Sequence, residues 1–295
     1  MAWGMRHAAL TLAFVGAFGC NSRPHAASDG PAAASPTTPF EAPPLAAGSI
    51  PQLPASGHAP LPSASAGIAP SAAVTDTLET SVGPVTFTPI QHATLAISTK
   101  DKTIVVDPWS KAPDGWLPPA DLILITDIHA DHFDKAAIAS VRKPKSVFVA
   151  PPAVAKDLPE AKVLKNGEKL EVLGVRLTAV PMYNLTRGPE AGKLFHDKGR
   201  GNGYLIGIGD KTIYISGDTE CTPEMKALKN VDIAFVCMNL PYTMPPEEAA
   251  ECVKAFKPKV VIPYHYRDSD ITKFKAALAG TAGVEVRTRD FYASH

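Results

Sequence analysis

Cysteine is scarce in this chain: four among 295 residues, too few for a disulfide framework at this length. Net charge is absent, since 29 basic residues balance 29 acidic ones. That removes the electrostatic basis for nucleic-acid binding and for a polybasic hold on anionic lipid. No apolar run reaches the ~18–20 residues that would cross a bilayer as a helix. Aromatic residues are nearly missing from residues 21–81, where Phe40 stands alone.

Proline is what abounds, with 29 residues, about twice the ~5% of average usage. Eleven of the 29 fall within residues 21–81, in pieces such as Pro43-Pro44, Pro51, Pro54, Pro60 and Pro62. Alanine, serine, glycine and threonine fill most of the rest. Such a stretch cannot bury enough apolar surface to offset its ordering entropy. It reads as a disordered, extended tether, with His25 and His58 as solvated bystanders.

Residues 1–20 have the pattern of a secretory signal: Arg6 and His7, then an apolar run to Gly19. The ending Ala17-Phe18-Gly19-Cys20 resembles a bacterial lipoprotein processing site. That resemblance implies lipidation at Cys20, and Asn21 in place of Asp implies the outer membrane. The expectation is an exported protein on the periplasmic side, touching membrane only through a lipid anchor at Cys20.

Residues 82–295 are enough for one substantial core. Short β runs come first, at 85–90, 94–98 and 103–106. A continuous apolar strand follows at 121–125, of the kind buried on both faces. The pattern then predicts a helix over 133–141, a strand over 146–150, and a strand pair at 169–173 and 175–180. A hairpin at 204–208 and 211–216 turns on Gly209-Asp210. Helices at 223–228, 245–256 and 271–279 alternate with strands at 233–237, 260–263 and 284–287. Meandering strands followed by βα units predict a layered α/β domain. No internal repeat is visible in the residues.

The chemistry sits at strand ends. Asp127-Ile128-His129-Ala130-Asp131-His132 places four metal-capable side chains directly after the strand ending at Ile125. Imidazoles and carboxylates are the ligands that zinc and similar metals select. The segment resembles the His-x-His-x-Asp-His signature of the metallo-β-lactamase superfamily, with Asp127 in place of the first histidine. Ser216-Gly217-Asp218-Thr219 resembles the superfamily's later Gly-Asp motif, and Pro263-Tyr264-His265 stands where its final histidine is supplied. His92-Ala93-Thr94 and Val106-Asp107-Pro108-Trp109 resemble the branch containing ascorbate-6-phosphate lactonases and N-acyl-phosphatidylethanolamine phospholipase D.

The resemblance implies an αβ/βα sandwich and a metal-dependent hydrolase with one or two zinc ions, manganese being the alternative. It assigns His129 and Asp127 to the first ion and Asp131, His132 and His265 to the second, with Asp218 between them. The remaining donor of the first site is either His196 or, as an oxygen ligand, Asn184. Asp218 and Asp131 are the catalytic candidates, Asp131 as a base if only one ion binds. Asp107 and Asp134 are candidates to hold ligating imidazoles from behind, and Arg200 or Lys198 to meet an anionic substrate. His92 stays open between site and core, and Cys221 is considered as a thiol near Asp218.

The small-molecule substrate expected is an ester, lactone or phosphodiester. A non-catalytic metal-binding lipoprotein is the second reading, and a true β-lactamase the third. Oligomeric state is not legible.

Overall fold

The computed structural model describes residues 75–292. The signal segment, Cys20 and residues 21–74 of the expected tether lie outside the described residues.

The chain forms two seven-stranded sheets, each in strict sequence order. The first holds β1 (Asp76–Thr80), β2 (Gly83–Gln91), β3 (Thr94–Ser98), β4 (Thr103–Val106), β5 (Ala120–Leu124), β6 (Arg142–Ala150) and β7 (Lys162–Val163). Strands β1 to β4 pair antiparallel, and β4 to β7 pair parallel. The second holds β8 (Lys169–Val172), β9 (Val175–Met182), β10 (Gly201–Ile208), β11 (Lys211–Ile215), β12 (Ile233–Cys237), β13 (Val260–Tyr264) and β14 (Glu285–Val286). It repeats the scheme: β8 to β11 antiparallel, β11 to β14 parallel. The halves thus share a topology that no residue-level repeat announces.

Five helices complete the domain: α1 (Lys135–Val141), α2 (Pro152–Ala155), α3 (Pro223–Lys226), α4 (Pro246–Phe256) and α5 (Ile271–Ala277). One cluster, including Phe87, Leu95, Ile104, Leu122, Tyr204, Ile213 and Phe235, fills the space between the sheets. A second, including Val105, Ile123, Ile138 and Phe148, lies under α1. Strand β5 feeds both, Leu122 to one and Ile123 to the other. That is why its sequence is apolar without alternation.

Two expectations need correction. Strand β1 lies inside the stretch assigned to the tether, six residues before the expected start at 82. Its sequence, Asp-Thr-Leu-Glu-Thr, offers one large apolar residue, so periodicity does not reveal it. Pairing with β2 and ion pairs from Asp76 to Arg287 (3.2 Å) and Arg289 (2.6 Å) hold it. Secondly, Cys221 and Cys252 form a disulfide from the loop after β11 to α4, with Cα atoms 5.5 Å apart. Cys221 is therefore no free thiol near Asp218. The 31-residue separation of the two cysteines hides the contact in the sequence.

Candidate metal centre

The carboxyl ends of β4, β5, β11 and β13 open on the same region, and the loops leaving them carry the polar residues. This is where open α/β sheets place their sites. Asp107 follows β4, residues 125–132 follow β5, Asp218 follows β11, and His265 follows β13. His196 comes from the loop between β9 and β10. Asp107, Asp127, His132, His196, Asp218 and His265 are all buried, while His129 is exposed.

Close backbone approach shapes the region. The Asn202 N–H donates to the Thr126 carbonyl at 2.8 Å. A Cβ at Gly201 would stand 2.8 Å from that carbonyl, so only glycine fits there. The glycine-rich segment 199–203 thus brings backbone to the site rather than cradling phosphate. His92, Asp107 and His265 take left-handed backbone angles, with φ of 57°, 46° and 46°. Non-glycine residues are costly there, and such strain concentrates at functional sites.

Three imidazole nitrogens face carboxylate oxygens without hydrogen-bonding them. His132 Nε2 lies 3.4 Å from Asp218 Oδ2, and His196 Nε2 lies 3.3 Å from the same oxygen. His265 Nε2 lies 3.4 Å from Asp131 Oδ2 and 3.5 Å from Asp218 Oδ1. These ring nitrogens and Asp218 Oδ1 are buried with no hydrogen-bond partner, a state that normally costs about 1–3 kcal/mol per group. Ligands ~2.0–2.2 Å from a tetrahedral ion stand roughly 3.3–3.6 Å from one another. The donor atoms are therefore spaced for ions rather than for hydrogen bonds. Among the described residues Asp127, His129 and His196 form one candidate group, His132, Asp218 and His265 a second, and His92, Asp131 and His265 a third.

The far side of the ring is fixed for two of these histidines. His132 Nδ1 meets Asp107 Oδ2 at 2.8 Å, and Asp107 Oδ1 accepts the Thr126 N–H at 2.8 Å. Asp107 thus holds the His132 imidazole from behind. His196 Nδ1 meets Asn184 Oδ1 at 2.6 Å, and that oxygen also accepts the His196 backbone N–H. His196 Nε2 therefore faces Asp218, while the Asn184 oxygen is engaged in orienting His196. Asp134 does not join them. One oxygen caps α1 through the Ala136 and Ala137 N–H groups, and the other accepts the Ser110 N–H. A helix start at Lys135 needs that cap.

Arg200 also departs from expectation. Its Nε and Nη2 grip Asp127 at 3.0 and 2.8 Å, so its charge is committed inside the site. Lys198 is likewise held, by Glu224 at 2.6 Å. Burial would raise the Asp127 pKa, but the hydrogen bond from His129 and the Arg200 charge hold it well below the usual carboxylate range. Burial is likewise overcome at Asp218, where His265 and His132 hold the carboxyl low. Burial opposes protonation of His132, yet the charges of Asp218 and Asp107 pull its pKa well above the ordinary value. For His92 burial wins, and its pKa is lowered.

Two contributors escape the sequence reading. Glu220, buried, accepts Asn184 Nδ2 (3.0 Å) and the Arg187 N–H (2.7 Å), fixing the segment behind His196. His92 lies against Asp131 and His265. Both act through partners distant in sequence, and only the left-open status of His92 hinted at one of them. A cavity of about 640 Å³ opens on the centre, and its lining includes Trp109, Phe195, Tyr242 and Tyr292 together with His129, Asp131 and Arg267.

Residues 86–265 match the family described as the β-lactamase superfamily domain. The chain belongs to that superfamily. A metal-dependent hydrolase of Pelotomaculum thermopropionicum is 31% identical over 206 residues, covering 63% of this chain and 89% of the relative. Another from Anaeromyxobacter dehalogenans is 30% identical over 226 residues, covering 66% and 81%. A crystal structure from Parabacteroides distasonis, assigned as a metal-dependent hydrolase, aligns with a TM-score of 0.69 at 40% identity. It covers 74% of this chain and 98% of its own. A metallo hydrolase from Ignicoccus hospitalis, 22% identical with a TM-score of 0.59 over 70% and 95% of the two chains, shares the fold. The chain is a metal-dependent hydrolase, and its fold is the αβ/βα sandwich that the sequence implies.

Proposed function

We propose that this enzyme hydrolyses a small anionic ester, lactone or phosphodiester at a centre of two zinc or manganese ions. The unpartnered ring nitrogens of His132, His196 and His265 around Asp218 carry this reading. His129, His196 and Asp127 would hold the first ion, Asp131, His132 and His265 the second, and Asp218 both. Ions held there would make water more acidic and act as a Lewis acid toward the substrate oxygen.

The chain's own residues do the rest. Asp107 and Asn184 keep the imidazoles turned so that Nε2 faces inward. Asp131, partly exposed and lining the cavity, would serve as a base only if a single ion binds. Trp109, Phe195 and Tyr242 offer apolar faces to the substrate body. Arg267 supplies the charge: among the described residues it has no carboxylate partner, unlike Arg200 and Lys198.

Export and lipidation at Cys20 remain part of the proposal. The Cys221–Cys252 disulfide supports it, because such bonds persist in oxidising compartments and are rare in the cytosol.

The test is a panel of chromogenic aryl esters, lactones, phosphodiesters and nitrocefin, with metal-loaded and chelator-treated protein. Chelator-sensitive turnover of an ester, lactone or phosphodiester supports the reading. Two bound ions with no turnover of any member would favour the binding lipoprotein, and nitrocefin turnover alone would favour a β-lactamase.

A further inference from the structure

The superfamily signature accounts for the residues after β5, β11 and β13, but not for His92, which sits in the turn between β2 and β3. His92 is nonetheless built into the centre. Its Nε2 lies 3.1 Å from Asp131 Oδ2, and its Nδ1 lies 2.6 Å from the Tyr292 hydroxyl. Its ring lies against His265 with centroids 3.9 Å apart and the planes tilted by 35°. The backbone is fixed on both sides: the His92 N–H donates to the Phe291 carbonyl at 3.0 Å, and the His92 carbonyl accepts the His265 N–H at 3.2 Å.

Donor and acceptor counting then assigns the protons. An ionised carboxylate only accepts, so the proton on this ring lies on Nε2 and points at Asp131. Nδ1 is left as an acceptor and takes the Tyr292 hydroxyl proton. The Tyr292 oxygen, having donated, accepts the Arg267 N–H at 2.8 Å. The chain of donors runs in one direction, from Arg267 through Tyr292 and His92 to Asp131.

We propose that His92, oriented by Tyr292, is a positioning residue that holds Asp131 Oδ2 in place for the second ion and is not itself a ligand. Its Nε2 stands at hydrogen-bond distance from Asp131, 3.1 Å, whereas the unpartnered nitrogens of His132, His196 and His265 stand 3.3–3.5 Å from carboxylate oxygens. The inference rests on the metal-centre reading above. It adds a contact from the first sheet's N-terminal strands to a centre otherwise assembled from parallel strands and the β9–β10 loop.

The test uses the purified protein with His92→Ala, His92→Gln and Tyr292→Phe variants, each checked for an unchanged fold by circular dichroism. Competition with a chromogenic chelator gives the affinity of each ion, and cobalt loading gives the ligand-field spectrum. His92→Ala is expected to weaken the second ion by about 10–100-fold, the usual effect of removing a group behind a ligand. The first ion and the cobalt band positions should stay as in the wild type. Gln can donate an N–H to Asp131, so His92→Gln should recover most of the loss, and Tyr292→Phe should lose less than His92→Ala. Unchanged affinities in all variants would overturn the proposal. So would loss of the second ion in both His92 variants with a cobalt spectrum showing one nitrogen fewer, because His92 would then be a ligand. If the wild type binds no second ion, the metal-centre reading fails instead. Nitrogen-15 NMR of the metal-free protein then decides the inference: a proton on His92 Nε2 upholds it, and a proton on Nδ1 sinks it.

Discussion

Arg200 holds Asp127 by a two-point ion pair, Nε to Oδ1 at 3.0 Å and Nη2 to Oδ2 at 2.8 Å. The carboxylate stands where the superfamily signature has its first histidine, and it is fully buried. A buried negative charge needs a partner, and the glycine-rich loop before β10 delivers one. Substitution of the histidine and provision of the arginine are thus two halves of one arrangement.

Arg200→Ala should therefore strand a buried carboxylate. Breaking a buried pair from one side costs about 3–5 kcal/mol. With Arg200 18% exposed, the loss should fall toward the lower end. Urea unfolding of metal-free protein measures it. Zinc should restore part of the deficit, because a cation beside His129 and His196 replaces the lost charge.

Asp107→Asn tests the support behind His132. An amide can present its nitrogen to Nδ1, which removes the acceptor that keeps Nε2 free for the ion. The expected result is a 10–100-fold weaker second ion, read by chelator competition, with the first ion unchanged. Asn184→Ala should produce the complementary result at the first ion, since Asn184 turns His196.

Glu220 gives a pH dependence. Burial raises its pKa, but hydrogen bonds from Asn184 and the Arg187 backbone, with the Arg187 charge, bring it below the ordinary value. A carboxyl depressed on folding contributes stability that is present above its unfolded pKa and lost as pH falls through the folded one. Wild-type stability should therefore decline through the acid range below about pH 4.5. Glu220→Gln, measured by thermal melting against pH, should flatten part of that decline while lowering stability at neutral pH.

The disulfide predicts a thiol count. Apart from Cys20, denatured protein should give one reactive thiol before reduction and three after it, the first being Cys237. In the native state Cys237 should not react, as burial pushes its pKa up to about 12. Closing a loop of this length is worth about 3–4 kcal/mol in the chain-entropy description, so reduction should lower the melting temperature without releasing metal.

The sequence makes the centre legible where ligands are contiguous. Residues 127–132 follow one apolar strand, and Asp218 and His265 each follow another, so local order alone exposes them. The expected strands recur within a few residues of their observed limits, and between β2 and β14 only the two-residue β7 has no expected counterpart. What escapes is set by pairing between distant segments. Nothing near Asn184 says that its oxygen turns His196, and nothing near His92 says that Tyr292, 200 residues later, bonds its other nitrogen. Asp134 misleads for the opposite reason: it adjoins the signature, yet one oxygen is spent capping α1 and the other on the Ser110 N–H. Strand β1 escapes because an edge strand held by Asp76 and two arginines needs little apolar pattern.

Metal stoichiometry tests the centre most directly. Protein dialysed against zinc or manganese near neutral pH, then analysed by mass spectrometry, should carry two ions per chain. Asp218→Ala should drop to one or none, because its two oxygens face His132 and His196 on one side and His265 on the other. His132→Ala should lose the second ion only. Wild-type protein that retains no ion, or an Asp218→Ala variant that still carries two, would contradict a centre built around that carboxylate.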